Sequence, residues 1–147
     1  MLASRKAALA RSGIEIHRTQ GKDLPPVLVD PLLLHQALLN ILINAEHALA
    51  DRARPIRRID VTTETNAARD RVCVIIRDTG SGIAPETVAM VFDPFFTTKE
   101  VGQGTGLGLA IAYGIVQEHE GTITAGNAPD GGAMFTVDLP ALEVVVK

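Results

Sequence analysis

Val72-Cys73-Val74-Ile75-Ile76-Arg77-Asp78-Thr79-Gly80-Ser81-Gly82 is the stretch from which the fold is read. Its apolar, largely β-branched start favours a strand. The run stops at a carboxylate followed by two glycines, and the break continues to Pro85. Upstream, Arg58 to Thr65 is a second strand, and a polar turn at Asn66 to Asp70 joins it to Arg71–Arg77 as a hairpin. Earlier still, Asp30-Pro31 supplies an N-cap and a first-turn proline for a helix running through Ala50. Its apolar residues (Leu33, Leu38, Ile41, Leu42, Ala45 and Leu49 among them) fall on most faces, so burial all round is expected. Downstream, Glu86 to Val91 reads as one short helix and Phe92 to Gly104 as a loop. Thr105 to Glu118 reads as a helix closed by Gly121. Thr122–Asn127 and Ala133–Leu139 form a last hairpin turning at Pro129 to Gly132. At the start, Met1 to Arg11 is a helix ending at Gly13, Ile14 to Thr19 an alternating strand, and Val27 to Val29 a short strand.

Composition narrows the function classes. A length of 147 residues suits one domain. An apolar share of 46% with 21% charged residues argues for a packed core and against disorder. The lone Cys73 excludes an internal disulfide and most cysteine-based zinc sites. A net charge of −3 gives no reason to expect nucleic-acid binding. No apolar run approaches the ~18–20 residues of a membrane span, and Met1 to Ser12 lacks a signal-peptide core, so no membrane contact and a cytoplasmic location are expected. Arg52, Arg54, Arg57 and Arg58 read as cations at a helix C-terminus followed by solvated strand residues, with a docking patch as the alternative. Nothing ahead of the first helix offers it a core. Residues 1–13 are therefore expected to be the end of a linker or preceding helix from a longer parent, and 14–147 the domain itself.

Two features are uneven. Phe92, Phe95 and Phe96 crowd together in a chain with four Phe, one Tyr and no Trp, and glycines 80, 82, 102, 104, 106 and 108 cluster in one region.

Four constellations carry chemistry. Asn40 and Asn44 share one face of the long helix, and their amide oxygens can ligate a hard cation such as Mg²⁺ or its water; equally, they can bond to neighbouring strands. Asp78 at a strand end can accept from a purine's exocyclic amine, with Gly80 and Gly82 admitting close backbone approach; the same residues also read as an Asx turn. Gly102-Gln103-Gly104-Thr105-Gly106-Leu107-Gly108-Leu109 opens into an apolar helix, which makes a phosphate cradle or simply a glycine-rich helix start. It lacks the Lys-Ser/Thr of a P-loop and the spacing of a dinucleotide fingerprint. Phe92-Asp93-Pro94-Phe95-Phe96-Thr97-Thr98-Lys99 reads as a satellite hydrophobic cluster or as the anchor of a lid, with Lys99 reaching a phosphate.

Taken in order, these motifs resemble the ATP-binding catalytic domain of two-component sensor histidine kinases, over about Ile14 to Pro140. Leu39 to Ala45 is similar to the family's N box, Asp78 to Gly82 to its G1 box, Phe92 to Phe96 to its F box, and Gly104 to Leu109 to its G2 box. Gly132 to Val137 matches the closing strand near the adenine site. The resemblance implies an α/β fold of Bergerat type: a two-layer sandwich with a mixed five-stranded sheet and about three helices on one face. It implies ATP and Mg²⁺ as ligands. Asn44 then holds Mg²⁺, and Asn40 supports it or positions a water. Asp78 recognises the adenine amine in a pocket shaped by Gly80, Gly82, Ile83, Ala48 and Thr136. Gly104, Thr105, Gly106, Leu107 and Gly108 wrap the phosphates, and Lys99 and His47 are further nucleotide contacts. The implied partners are a His-bearing dimerisation domain and, indirectly, a response regulator.

The phosphoacceptor itself is missing. His17, His35 and His47 have no acidic follower, and His119-Glu120 runs into Gly121 at a helix end, where a solvated terminus is expected. Two other readings share these boxes: a serine kinase of an anti-sigma system, and a non-catalytic nucleotide-sensing module. The Phe cluster and the Gly-Thr-Gly-Leu-Gly-Leu string favour the histidine-kinase branch.

Overall fold

Strand alternation dictates which way the sheet faces. In the computed structural model, which describes residues 2–51, 53–96 and 107–142, β1 (Glu15–Gln20), β2 (Arg58–Thr65), β3 (Arg71–Asp78), β4 (Thr122–Asn127) and β5 (Ala133–Pro140) form one sheet in the order β1-β2-β3-β5-β4. Only β1 and β2 run parallel, joined by the crossover through the long helix; the other pairs are antiparallel. Register sets Ile76 opposite both Val61 and Phe135, and Val72 opposite Leu139. These residues are buried, as are Ile59, Ala133 and Val137 on the same face.

Helices α2 (Pro31–Ala48) and α3 (Gly108–Glu118) cover that face. Ala37, Ile41, Leu42 and Ala45 of α2 and Ala112, Ile115 and Val116 of α3 complete a core built almost wholly from aliphatics. The result is the expected two-layer α/β sandwich. Asp30 caps α2, its Oδ1 accepting from the N–H groups of Leu32 at 3.0 Å and Leu33 at 3.3 Å. The two helices run antiparallel. Asn40 meets Gly108 at one end, and at the other the Asp30 N–H donates to His119 Nε2 at 2.9 Å.

The far face of the sheet is polar. Arg71 pairs with Asp138, and the Cys73 thiol donates to the same carboxylate at 3.4 Å. Burial, and then that carboxylate, push the thiol up to about 11, so it stays protonated and unreactive at neutral pH.

Several expectations are corrected. Helix α2 is apolar on most faces yet buried on one side only, and Leu32 is 82% exposed. Helix α1 (Leu2–Arg11) does have a core: Leu9 is buried and joins the main cluster beside Ile14. Arg57 explains why, since its guanidinium donates both to Leu49 O at the end of α2 and to Ser12 O at the end of α1. That is the helix-terminus role expected of the basic cluster. The Val27–Val29 strand shrinks to a single bridge, Val27 with Ala141, because Pro25 and Pro26 offer no N–H to a ladder. The Glu86–Val91 helix is one 3₁₀ turn, Val88–Met90, too short to repay α-helix nucleation. His119 is half-buried rather than solvated, with Nδ1 2.8 Å from Ile115 O.

One packing fault lies beneath the first half of α2. A cavity of about 210 Å³ opens there between Leu38, Leu42, Val61 and Val74. Thr63 also lines it, and its hydroxyl is buried with no hydrogen-bond partner among the described residues. A buried hydroxyl without a partner costs about 1–3 kcal/mol. Thr63→Val keeps the shape, favours the strand and is expected to stabilise the chain by about 1 kcal/mol. A thermal melt should rise by ~3 °C; a lower midpoint would show that the hydroxyl is bonded to water in the cavity.

Candidate functional site

Asp78 is the last residue of β3, on the helix-facing side and level with Ile59. It is 1% exposed and is the one buried charged residue among those described. The loop that follows folds back so that Oδ1 accepts the Gly80 N–H at 2.8 Å, the geometry of an Asx turn. The same oxygen accepts the Ala133 N–H from β5 at 3.3 Å. Burial raises the carboxyl above the usual carboxylate range; the two N–H groups and the Arg54 charge pull the other way. Oδ2 takes no hydrogen bond from any described residue. The turn reading and the recognition reading therefore use different oxygens of one carboxylate.

Gly80 brings this loop against α2. A Cβ there would lie 2.9 Å from both Ala48 O and Asp78 Oδ1, so only glycine fits. Gly82 takes φ +83°, a region that favours glycine. Ile83, next in line, is half-buried and packs on the core.

Helix α2 carries the second set. Its aliphatic stripe is buried in the core, and Asn40 lies on the side that meets α3. The Asn40 amide donates to Gly108 O at 3.0 Å, tying α2 to the first turn of α3. Asn44 is half-buried and makes no hydrogen bond to another described residue. His47 and Ala48 are exposed in the last turn. Leu107 and Gly108 open α3, whose N-terminus has no side-chain cap, so its first N–H groups are not claimed by one. Lys99, Gly104, Thr105 and Gly106 lie outside the described residues.

The aromatics divide. Phe92 is half-buried, with its ring 5.4 Å from Tyr113 and edge-on to Phe135 at 6.2 Å. Phe92 thus packs on the main core and not in a separate cluster with Phe95. Phe95 is 73% exposed at φ +67°, a backbone state unusual for a ring-bearing residue.

The structure brings Asp78, Gly80 and Ala48 together at one end of the site and Asn40 and Gly108 at the other. It does not bring Thr136 to them. Thr136 pairs with Ile75 and alternates with buried Phe135 and Val137, so it lies on the face of the sheet opposite Asp78. The β5 residue that reaches the carboxylate is Ala133, through its backbone N–H. Sequence reasoning takes Arg54 only as one of the basic cluster and Asn127 only as a strand end; Arg54 Nε lies 3.4 Å from Thr79 O, and Asn127 bonds to Ile83. The turn signal at Pro129 to Gly132, just after Asn127, is the available clue.

Comparison with known proteins shows the family. Residues 29–143 match the family described as histidine kinase-, DNA gyrase B- and HSP90-like ATPases. The sensor histidine kinase ZraS of Salmonella typhi is 38% identical over 130 residues, covering 88% of this chain and 26% of that protein. The signal transduction histidine-protein kinase AtoS of Escherichia coli is 42% identical over 118 residues, covering 80% of this chain and 18% of AtoS. The chain thus spans about a quarter or less of these relatives. Full-length ShkA in complex with AMPPNP superposes with a TM-score of 0.81 at 28% identity, over 97% of this chain and 29% of ShkA. The catalytic domain of the histidine kinase ThkA gives 0.80 at 28% identity, over 95% of this chain and 87% of that one. The chain belongs to the histidine kinase-, DNA gyrase B- and HSP90-like ATPase family, as an ATP-binding catalytic domain of the sensor histidine kinase type.

Proposed function

We propose that this chain binds Mg·ATP and presents its γ-phosphoryl group to a histidine on a separate dimerisation domain, in a kinase whose phosphoryl group passes on to a response regulator. The observation that carries the reading is Asp78: one oxygen is anchored by two backbone N–H groups, and the other is left for an incoming donor. An exocyclic amine of a purine is such a donor. Gly80 keeps the pocket floor thin, and Ala48 and Ile83 flank it. From Ala48 to Asn40 is eight residues, or about 12 Å along the helix, a length suited to an extended nucleotide. The triphosphate then lies toward Asn40, Asn44 and the start of α3, where Gly104 to Gly108 wrap it and Thr105 and Lys99 add donors. His47 is a further contact at the base end.

Mg²⁺ suits Asn44. Its amide offers a hard oxygen without a competing hydrogen bond among the described residues. Those residues contain no cluster of three or more acidic, His or Cys side chains, so waters and phosphate oxygens would complete the shell. When bound there, the ion neutralises charge on the phosphate oxygens. The protein's own share is positioning. Asp78 fixes the base, Asn40 locks α2 to α3, and the backbone donors ahead of α3 orient the phosphates in line with an incoming imidazole.

That ShkA was solved with AMPPNP and that ThkA forms a complex with the response regulator TrrA support the ligand and the pathway partner. No helix among the described residues is long and apolar enough to cross a membrane, in keeping with a domain on the cytoplasmic side of a parent that is itself free to be membrane-anchored.

Asp78→Asn keeps an oxygen for Gly80 and Ala133 but offers an amide where the adenine amine needs an acceptor. Calorimetry should show ATP affinity falling at least tenfold, ~1.4 kcal/mol. Burial disfavours the charged carboxylate, so the melting midpoint should stay level or rise. Asn44→Asp should weaken Mg·ATP to a similar extent. Unchanged affinity in both variants would remove the site assignment. Incubated with labelled ATP, the chain alone should gain no acid-labile label, and adding a cognate His-bearing dimerisation domain should place label on that domain. Label on this chain, or none on the partner, would refute the phosphotransfer reading.

A further inference from the structure

We propose that Asn127 is the positioning residue that sets base selectivity, by clamping the loop after Asp78 to the β4–β5 turn; this rests on the nucleotide reading of the site. Asn127 ends β4, and its side chain behaves as an added piece of strand. Oδ1 accepts the Ile83 N–H at 2.7 Å, and Nδ2 donates to Ile83 O at 2.8 Å. Both polar groups of one peptide-backbone residue are thus satisfied by a single amide 44 positions away. Only Asn or Gln offers a donor and an acceptor side by side, and Asn is the shorter. An Asp here would set a carboxylate against the Ile83 carbonyl.

Other contacts show that this turn is the reference for the whole loop. Gly82 sits so close that a Cβ on it would lie 2.6 Å from Asn127 Oδ1 and run into Gly131 O. A Cβ on Gly132 would collide with the Asp78 carbonyl, and Ala133 donates to the Asp78 carboxylate. The turn is itself closed. Ala128 N–H donates to Gly132 O at 2.6 Å, Gly131 N–H donates to Ala128 O at 2.9 Å, and Asp130 is paired with Arg77 of β3 at 2.5 Å. The Arg77 partner holds the Asp130 carboxyl below the usual range. Asn127 therefore fixes Ile83 in the same frame that fixes Asp78. The amine acceptor and the loop lining the base pocket keep one separation.

Selectivity for a 6-amino purine over a 6-oxo purine depends on that separation, because a misplaced acceptor no longer tells a donor from an acceptor. Among the described residues, the Asn127 side chain makes no hydrogen bond to α2 or α3; both of its bonds go to Ile83. The test compares ATP and ITP binding to the full chain by calorimetry. Asn127→Ala and Asn127→Asp are expected to lower ATP affinity about tenfold while ITP affinity changes less than about twofold, so the preference for ATP shrinks. Asn127→Ser, which retains one bond, should recover part of it. Melting midpoints follow folding in each variant, and a merely structural loss would weaken both nucleotides equally. An unchanged ATP-to-ITP ratio in folded Asn127→Ala and Asn127→Asp overturns the proposal. If Asp78→Asn also leaves ATP binding intact, the nucleotide reading itself fails; if Asp78→Asn weakens ATP and the Asn127 variants do not, only the clamp is wrong.

Discussion

The buried carboxylate of Asp78 is the constraint on which the site depends. A charge that is 1% exposed is unfavourable unless something donates to it. Here the donors are two backbone N–H groups from different parts of the chain, with Arg54 adding a favourable charge nearby. Satisfying that oxygen requires the loop to turn back at Gly80 and β5 to begin at Ala133. The requirement brings the end of α2, the loop after β3 and the β4–β5 turn to one point. That convergence is the outcome of a buried carboxylate solvated by the protein's own backbone.

Helix α2 divides its labour by angle. Ala37, Ile41, Leu42 and Ala45 are buried in the core, whereas Asn40 and Asn44 are half-buried and Asn40 reaches the first turn of α3. The first set fixes the helix in rotation, and that rotation aims the second. A core substitution on α2, far from any ligand atom, would therefore change the direction of both amides. The same logic holds in β5, where the alternation that buries Phe135 and Val137 carries Thr136 to the other face.

Much of this was legible from sequence because it depends on local rules. The hairpin around Asn66, the cap at Asp30 and the Asn pair at helical spacing are each readable over a few residues. All five strands and the three α-helices are among the elements so read, beside one strand and one helix that do not form. What failed needed non-local facts. Thr136 enters the site only through the resemblance of Gly132 to Val137 to the closing strand, and the β3–β5 register decides which face it takes. Helix α1 looked unsupported because the Arg57 side chain that joins it to α2 lies 45 residues from Ser12. Asn127 reads only as the last residue of a strand because its partner, Ile83, carries no side-chain signal: the bond is to backbone. The Asx turn and the recognition carboxylate looked like rivals, since sequence does not assign oxygens separately.

His119 ties α3 to the start of α2 through both ring nitrogens. A carbonyl can only accept and an N–H can only donate, so Nδ1 carries the proton toward Ile115 O and Nε2 receives the Asp30 N–H. An imidazole attacks phosphorus through its unprotonated nitrogen, and in this fold that lone pair is already in use. The one histidine in the chain followed directly by an acidic residue thus has its free lone pair occupied by the contact that holds the two helices in place.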